Sequence, residues 1–237
     1  MNKILTIKLG GSLLYDDQLR IKFNVIIELK SLIQDLIESG DQINLVVGGG
    51  KISRHYVKQL KNTMSNAHLD HLSILLTRIN LFIVQQTLSD FSSCLVMNYD
   101  ELITPSMMSL RVIGGMYPGQ STNGTAALVA EITNSCVLIN LFEYDGIHDI
   151  DPKNNSSNKD PKLLHEITYQ ELSDMISKFK QSPGHYELFD HNALNIVKRS
   201  NIPVVFLNGN HLDSVRTYLQ GKSIGTKVIP DKPTRGR

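Results

Sequence analysis

Three short glycine clusters each follow an apolar, β-like run, and two basic side chains lie beside them. Ile4–Leu9 leads into Gly10, Gly11 and Ser12. Ile43–Val47 leads into Gly48, Gly49, Gly50 and Lys51. Leu110–Ile113 leads into Gly114 and Gly115, with Pro118, Gly119, Gln120, Ser121 and Thr122 close behind. Glycine lets backbone amides approach an anion, and a helix that starts just beyond it adds a favourable dipole. One such loop says little. Three of them, with Lys8 inside the first strand and Arg54 one helical turn past the second loop, point to a site that holds several phosphates. Two phosphorylated molecules held face to face is the arrangement that phosphoryl transfer requires. Lys8 would be the cation on the transferring group, neutralising charge that spreads over its oxygens. Arg54 would add a fork of two parallel donors. Each feature also has a plain structural reading: a solvated strand end, a surface arginine, a strand-to-helix turn.

Positioning these residues needs a particular scaffold, and the rest of the chain reads as one. Apolar strands are predicted at 3–9, 43–47, 93–97, 110–113, 136–141 and 204–207. Helical spacing of apolar residues predicts helices at about 19–39, 51–61, 68–90, 122–133, 169–180, 190–200 and 211–220. Gly40 is placed to end the first of these helices. Strands alternating with helices imply a largely parallel sheet covered on both faces, with ligands beyond the carboxyl ends of the strands. All three glycine clusters fall at that edge. The polar, proline-bracketed stretch 151–161 reads as a surface excursion, and 230–237 as a frayed tail.

Bulk properties narrow the field. With 237 residues, 41% hydrophobic and 20% charged, the chain can bury a core as one domain or as two joined lobes. A net charge of +1 provides no global field for nucleic acid or an anionic membrane. No apolar run approaches the length of a membrane span, and the first residues do not read as a secretory signal. A cytoplasmic location is the expectation. Cys94 and Cys136 offer no disulfide framework and read as core thiols. His165, His185 and His191 have no metal-ligand spacing, so no metal site is expected, and no Ser-His-Asp or Cys-His arrangement stands out.

Specific strings go further. Val47-Gly48-Gly49-Gly50-Lys51-Ile52-Ser53-Arg54-His55-Tyr56, Leu69-Asp70 with Thr77-Arg78-Ile79-Asn80, and Gly114-Gly115-Met116-Tyr117-Pro118-Gly119-Gln120-Ser121-Thr122 stand out. So do Asp145-Gly146-Ile147 with Asp151-Pro152, Tyr186-Glu187-Leu188-Phe189-Asp190, and the closing Gly225-Thr226. From Lys8 to about Pro230 the chain resembles the amino acid kinase superfamily, and within it the archaeal-type uridylate kinases. The resemblance implies a three-layer αβα sandwich with an open, mainly parallel sheet of about eight strands. It implies a single domain over 1–237, with an acceptor lobe at about 1–130, an ATP lobe at about 131–230 and a tail at 231–237. It also implies ATP and UMP as ligands, Mg²⁺ carried with ATP, and a homo-oligomer, usually a hexamer.

By the same resemblance Lys8, Gly10, Gly11, Ser12, Gly50, Arg54, His148 and Asp151 belong to the ATP side. Gly49, Asp70, Gly115, Pro118, Gly119, Gln120 and Ser121 belong to the UMP side, with Asp70 accepting from ribose hydroxyls. Lys8 and Arg54 are the catalytic pair. Arg78 and Asn80 would brace a helix and an oligomer contact. The chain departs from the pattern at Ser12, where a second lysine is common, at His71 and Ser73, and at Asn123, where many relatives have aspartate. Phe142, Glu143 and His148 also depart from it. Glu143 brings negative charge toward a polyphosphate unless a cation screens it. Three functions therefore stay open: a UMP kinase, a kinase of the same fold for another small acceptor such as isopentenyl phosphate, and a non-catalytic nucleotide- or oxyanion-binding protein.

Overall fold

The computed structural model describes residues 2–152, 160–178 and 189–231. Parts of three expectations lie outside the described residues: the excursion at 153–159, the string Tyr186–Leu188 with His185, and the tail at 232–237.

Eight strands form one sheet. They are β1 (Ile4–Leu9), β2 (Gln42–Val47), β3 (Ser93–Val96), β4 (Leu110–Ile113), β5 (Val137–Phe142), β6 (Glu166–Thr168), β7 (Val204–Asn208) and β8 (Thr226–Ile229). Their order across the sheet is β3-β4-β2-β1-β5-β7-β8-β6. Every pairing is parallel except β7 with β8. The helices are α1 (Phe23–Glu38), α2 (Gly50–Leu60), α3 (Asn66–Thr87), α4 (Tyr99–Ile103), α5 (Thr122–Ile132), α6 (Tyr169–Lys178), α7 (His191–Arg199) and α8 (Asp213–Leu219). The expected open αβα sandwich is therefore what forms.

The period-two alternation of the strands assigns the layers. Leu5, Ile7 and Leu9 of β1 join Val137, Ile139 and Leu141 of β5 in a core shared with α1, α3 and α8. The opposite face, with Leu138, packs on α5, α6 and α7. Strands buried on both faces should be apolar throughout. Against that rule, Thr6, Asn44 and Asn140 are buried polar residues on the α5 face, and Lys8 shares that face at the end of β1. Thr6 is satisfied by Ser135 at 2.8 Å and Asn44 by Thr133 at 3.0 Å.

Local chemistry sets the element ends. Gly40, at φ +84°, closes α1 with its amide on the Ile37 carbonyl, and Asp41 N bonds to the Leu36 carbonyl, a complete Schellman stop. The start of α1 falls four residues later than the periodicity suggests. The Asp16 carboxylate accepts from the amides of Gln18 and Arg20, both at 2.9 Å, and holds 16–20 in a turn. Four elements went unpredicted: a 3₁₀ turn at Gly11–Leu14, α4, β6 and β8. All are three to five residues long, too short for periodicity to register. The two thiols are not in the core: Cys94 is half-buried and Cys136 is exposed.

Among the described residues one helix, α3, is long and apolar enough by length and composition to cross a membrane. It carries Asp70 and Arg78, and it buries Leu69, Leu76, Leu81 and Val84 within the fold.

Candidate functional site

β1 lies between β2 and β5, and its connection to β2 leaves on the opposite side from β5. Such a switch point opens a crevice at the carboxyl ends of the strands. The first two glycine loops meet there. Gly10 donates its amide to the Leu141 carbonyl at the end of β5, and Gly48 donates to the Leu9 carbonyl at the end of β1, both at 3.0 Å. Backbone then crosses backbone: a Cβ on Gly11 would lie 2.2 Å from the Gly48 oxygen, and one on Gly50 would lie 1.9 Å from the Gly11 carbonyl carbon. Gly50 also sits at φ +59°. Only glycine permits this crossing at positions 11 and 50.

The crossing leaves a cleft of about 180 Å³, lined by Lys8, Gly10, Gly11, Ser12, Gly48, Gly49, Gly50, Arg54, Ser121, Thr122, Asn123, Phe189 and Asp190. Of the residues expected from sequence, Lys8, Gly10, Gly11, Ser12, Gly49, Gly50, Arg54 and Ser121 come together here. Gly10 plays a different part from the one expected, since its amide is spent on Leu141. The amides of Gly11 and Ser12, at the start of the 3₁₀ turn, have no backbone acceptor among the described residues and are left to donate. The Arg54 guanidinium donates to Ser12 Oγ at 2.8 Å, so Ser12 is its anchor where a second lysine was the pattern.

A second group lies beside this cleft along α3. Asp70 Oδ2 accepts from the Gly119 amide at 2.9 Å, so this carboxylate holds down the Pro118–Gly119 turn and keeps Oδ1 for another donor. Thr77 Oγ1 accepts from the Gly115 amide at 3.0 Å. Gln120 Oε1 is buried with no partner among the described residues. Gly115, Pro118, Gly119, Gln120 and Asp70 thus form one edge, adjoining the cleft through Ser121. Ser121 caps α5 by accepting from Gly124 N at 2.9 Å and donates to Asp190 Oδ2 at 2.5 Å.

His148 and Asp151 fall outside the cleft lining, on the segment that follows β5. His148 bridges to Leu163 and packs edge-on to Tyr144, with ring centroids 6.4 Å apart. The departures nearby have structural causes. Phe142 is core, 5.7 Å by centroids from both Tyr144 and Phe206. Glu143 lies 3.7 Å from Lys51 Nζ, which also binds Asp17 at 2.8 Å. A cation therefore does screen Glu143. Asp145 accepts from Asn208 at 2.7 Å, and the Ile147 amide donates to Thr226 Oγ1 at 2.7 Å, so the Asp145–Ile147 turn is pinned to β7 and β8.

Sequence reasoning named Asn80 as a brace but missed what it holds, and it missed Thr77. Asn80 is fully buried. Its Nδ2 donates to the carbonyls of Gly48 at 2.8 Å and Gly49 at 3.1 Å, while its Oδ1 accepts from Tyr15 at 2.7 Å. It holds the second glycine loop. Burial raises the Tyr15 hydroxyl pKa, keeping that hydroxyl a donor. Arg78 instead ties α3 to the Met97 carbonyl at 3.2 Å. The signal for Thr77 and Asn80 was their three-residue spacing on the inner face of a helix. Among the described residues no group of three or more His, Cys, Asp or Glu could hold a metal.

Interlocked glycine loops with a lysine and an arginine at a sheet's switch point define an α/β phosphate-binding protein. The profile of the amino acid kinase family matches residues 3–208, and the chain belongs to that family. It is similar to the uridylate kinase of Sulfurisphaera tokodaii, with 34% identity over 208 residues covering 86% of this chain and 91% of that one. It is also similar to the uridylate kinase of Methanobrevibacter smithii, with 34% identity over 229 residues covering 95% and 98%. The solved uridylate kinase of Archaeoglobus fulgidus superposes with a TM-score of 0.78 at 27% identity, covering 95% of this chain and 99% of that one.

Proposed function

We propose that this protein is a UMP kinase that transfers the γ-phosphoryl group of ATP to UMP, giving UDP and ADP. The observation that carries the reading is the crossing of the first two glycine loops over Lys8 and Arg54, in a chain whose curated relatives are uridylate kinases. On this reading Lys8, Gly11, Ser12, Gly50, Arg54, His148 and Asp151 serve ATP, and Gly10 ties their loop to β5. Gly49, Asp70, Gly115, Pro118, Gly119, Gln120 and Ser121 serve UMP, and the halves meet at β1. The buried acceptor of Gln120 suits the imide N–H of uracil. Mg²⁺ enters as part of the Mg–ATP substrate, held mainly by phosphates and water.

The UMP phosphate is largely a dianion at neutral pH and attacks in line without a general base. The protein's work is to hold two polyanions together and to neutralise the charge that moves onto the transferring oxygens. Lys8 supplies one cation and Arg54, anchored on Ser12, the other.

Self-association also belongs to this reading. Leu75, Ile79 and Phe82 are exposed at four- and three-residue spacing on α3, with Phe82 59% exposed. A contiguous apolar stripe of this kind suits a second copy of the chain.

The test is ADP release from Mg–ATP with UMP, dUMP, CMP, AMP and isopentenyl phosphate as acceptors. Turnover with UMP supports the reading, and turnover only with another acceptor overturns it. Nucleotide binding without turnover, from folded protein, would make it a binding protein. Lys8→Ala should lower kcat by at least about 100-fold with little change in Tm.

A further inference from the structure

β5 carries a residue that its surroundings do not explain. Asn140 is 1% exposed in a strand whose other members are all apolar and buried. Its Nδ2 donates to Asn123 Oδ1 at 3.2 Å, and its own Oδ1 is buried with no partner among the described residues. Leaving a buried acceptor unsatisfied opposes folding, so an amide at such a place usually serves something other than stability. Its position indicates what. Asn140 is in register with Lys8 on the neighbouring strand, and both lie on the α5 face. Asn123, in the first turn of α5, lines the cleft together with Lys8 and Arg54.

The orientation of the Asn123 carboxamide follows from this pairing. An amide presents a carbonyl at one end and an NH₂ at the other. Asn140 occupies the carbonyl end, so the NH₂ end of Asn123 is turned away from β5, and no hydrogen bond among the described residues takes it up. A carboxylate at 123 would accept the same bond from Asn140 but would offer negative charge and a second acceptor to the cleft. The amide offers two neutral donors.

We propose that Asn140 is a positioning residue that fixes the Asn123 carboxamide so that Asn123 meets substrate phosphate oxygens as a neutral donor. This rests on the reading of the cleft as the place where the phosphates of ATP and UMP meet.

A double-mutant cycle tests it. Asn123→Ala, Asn140→Leu and the double variant are compared with wild type by kcat/KM for UMP and by calorimetric binding of UMP and, separately, Mg–ADP. Thermal melts check the fold. Asn123→Ala should lower kcat/KM about tenfold, the loss expected for one hydrogen bond to a charged oxygen. Asn140→Leu should cost about fivefold when Asn123 is present and close to nothing in the Asn123→Ala background. The same coupling should appear in binding of at least one nucleotide. Asn140→Ser, which keeps a donor, should retain more activity than Asn140→Leu, and it carries the cycle if the leucine variant does not fold. An equal loss from Asn140→Leu in both backgrounds would mean packing alone and would overturn the proposal. So would an Asn123→Asp variant as active as wild type. Wild type that neither binds nor phosphorylates UMP would remove the functional reading first, and this inference with it. An active wild type with no coupling removes only this inference.

Discussion

At the scale of single residues, the chemistry proposed for the cleft depends on charge balance, and Lys51 governs part of that balance. It lies between Asp17 and Glu143, about a quarter exposed, and screens the one carboxylate that departs from the family pattern toward the polyphosphate. Removing it should weaken the screening of Glu143. Partly exposed pairs are worth up to about 1 kcal/mol, so Lys51→Ala should raise KM for ATP by up to about fivefold. The rise should be larger at low ionic strength. Glu143→Gln in the same variant should restore KM, and steady-state kinetics at two salt concentrations read both effects; a KM that does not move would mean Glu143 is not felt at the polyphosphate. Lys8 and Arg54 could be found from sequence because a basic residue beside a strand-then-glycine junction is a local signal. The Lys51–Glu143 pair could not, because its partners are 92 positions apart and only the meeting of α2 with the end of β5 joins them. Asp70 shows the converse: the residue stood out, but its hold on Gly119 depends on where the third glycine loop folds back.

Among the elements, α3 is the frame of the site. Its outer face is apolar and exposed, and its inner face carries Thr77 and Asn80, which grip the third and second glycine loops. Asn80→Leu keeps the volume but leaves two loop carbonyls and the Tyr15 hydroxyl without their partner. With about 1–3 kcal/mol for each buried group left unsatisfied, a loss near 3 kcal/mol is expected, measurable by urea unfolding. Activity at low temperature, where the variant is still folded, should fall as well, because the loop that carries Gly49 and Gly50 loses its anchor. A variant destabilised but fully active would show that the loop is held without Asn80. The long helices and buried strands were legible from periodicity. The edge β6, β8 pair was not, because its three- and four-residue strands are held by β-pairing and by Thr226, not by any pattern within themselves.

The whole molecule brings in solvent and other copies of the chain. Tyr169 is 2% exposed and donates to the Ile202 carbonyl at 2.8 Å. Burial first, and then the nearby Asp231 carboxylate, push its pKa up to about 12 from 10.0. The folded state therefore holds the phenol proton more tightly than the unfolded state does. That contribution is fully present below about pH 10 and is lost as pH rises toward 12, roughly 2–3 kcal/mol in all. Melting temperature should fall over this range, and Tyr169→Phe should make the fall shallower from a lower starting point; an unchanged alkaline slope would contradict the assignment. Association should respond to the exposed face of α3. Phe82→Glu should reduce the mass seen by analytical ultracentrifugation if that stripe joins two copies, with each chain still folded.

The crossing of the two glycine loops has a dynamic corollary. Its amides are of two kinds: those of Gly10 and Gly48 are locked into the ends of the neighbouring strands, whereas those of Gly11 and Ser12 meet no acceptor among the described residues. In deuterium oxide the first pair should exchange on the timescale of global opening, like the central sheet, while the second pair exchanges orders of magnitude faster. Nucleotide should slow only the fast pair. The loop would then be as rigid as a strand before any ligand arrives, and the cost of ordering it would be met during folding instead of during each turnover.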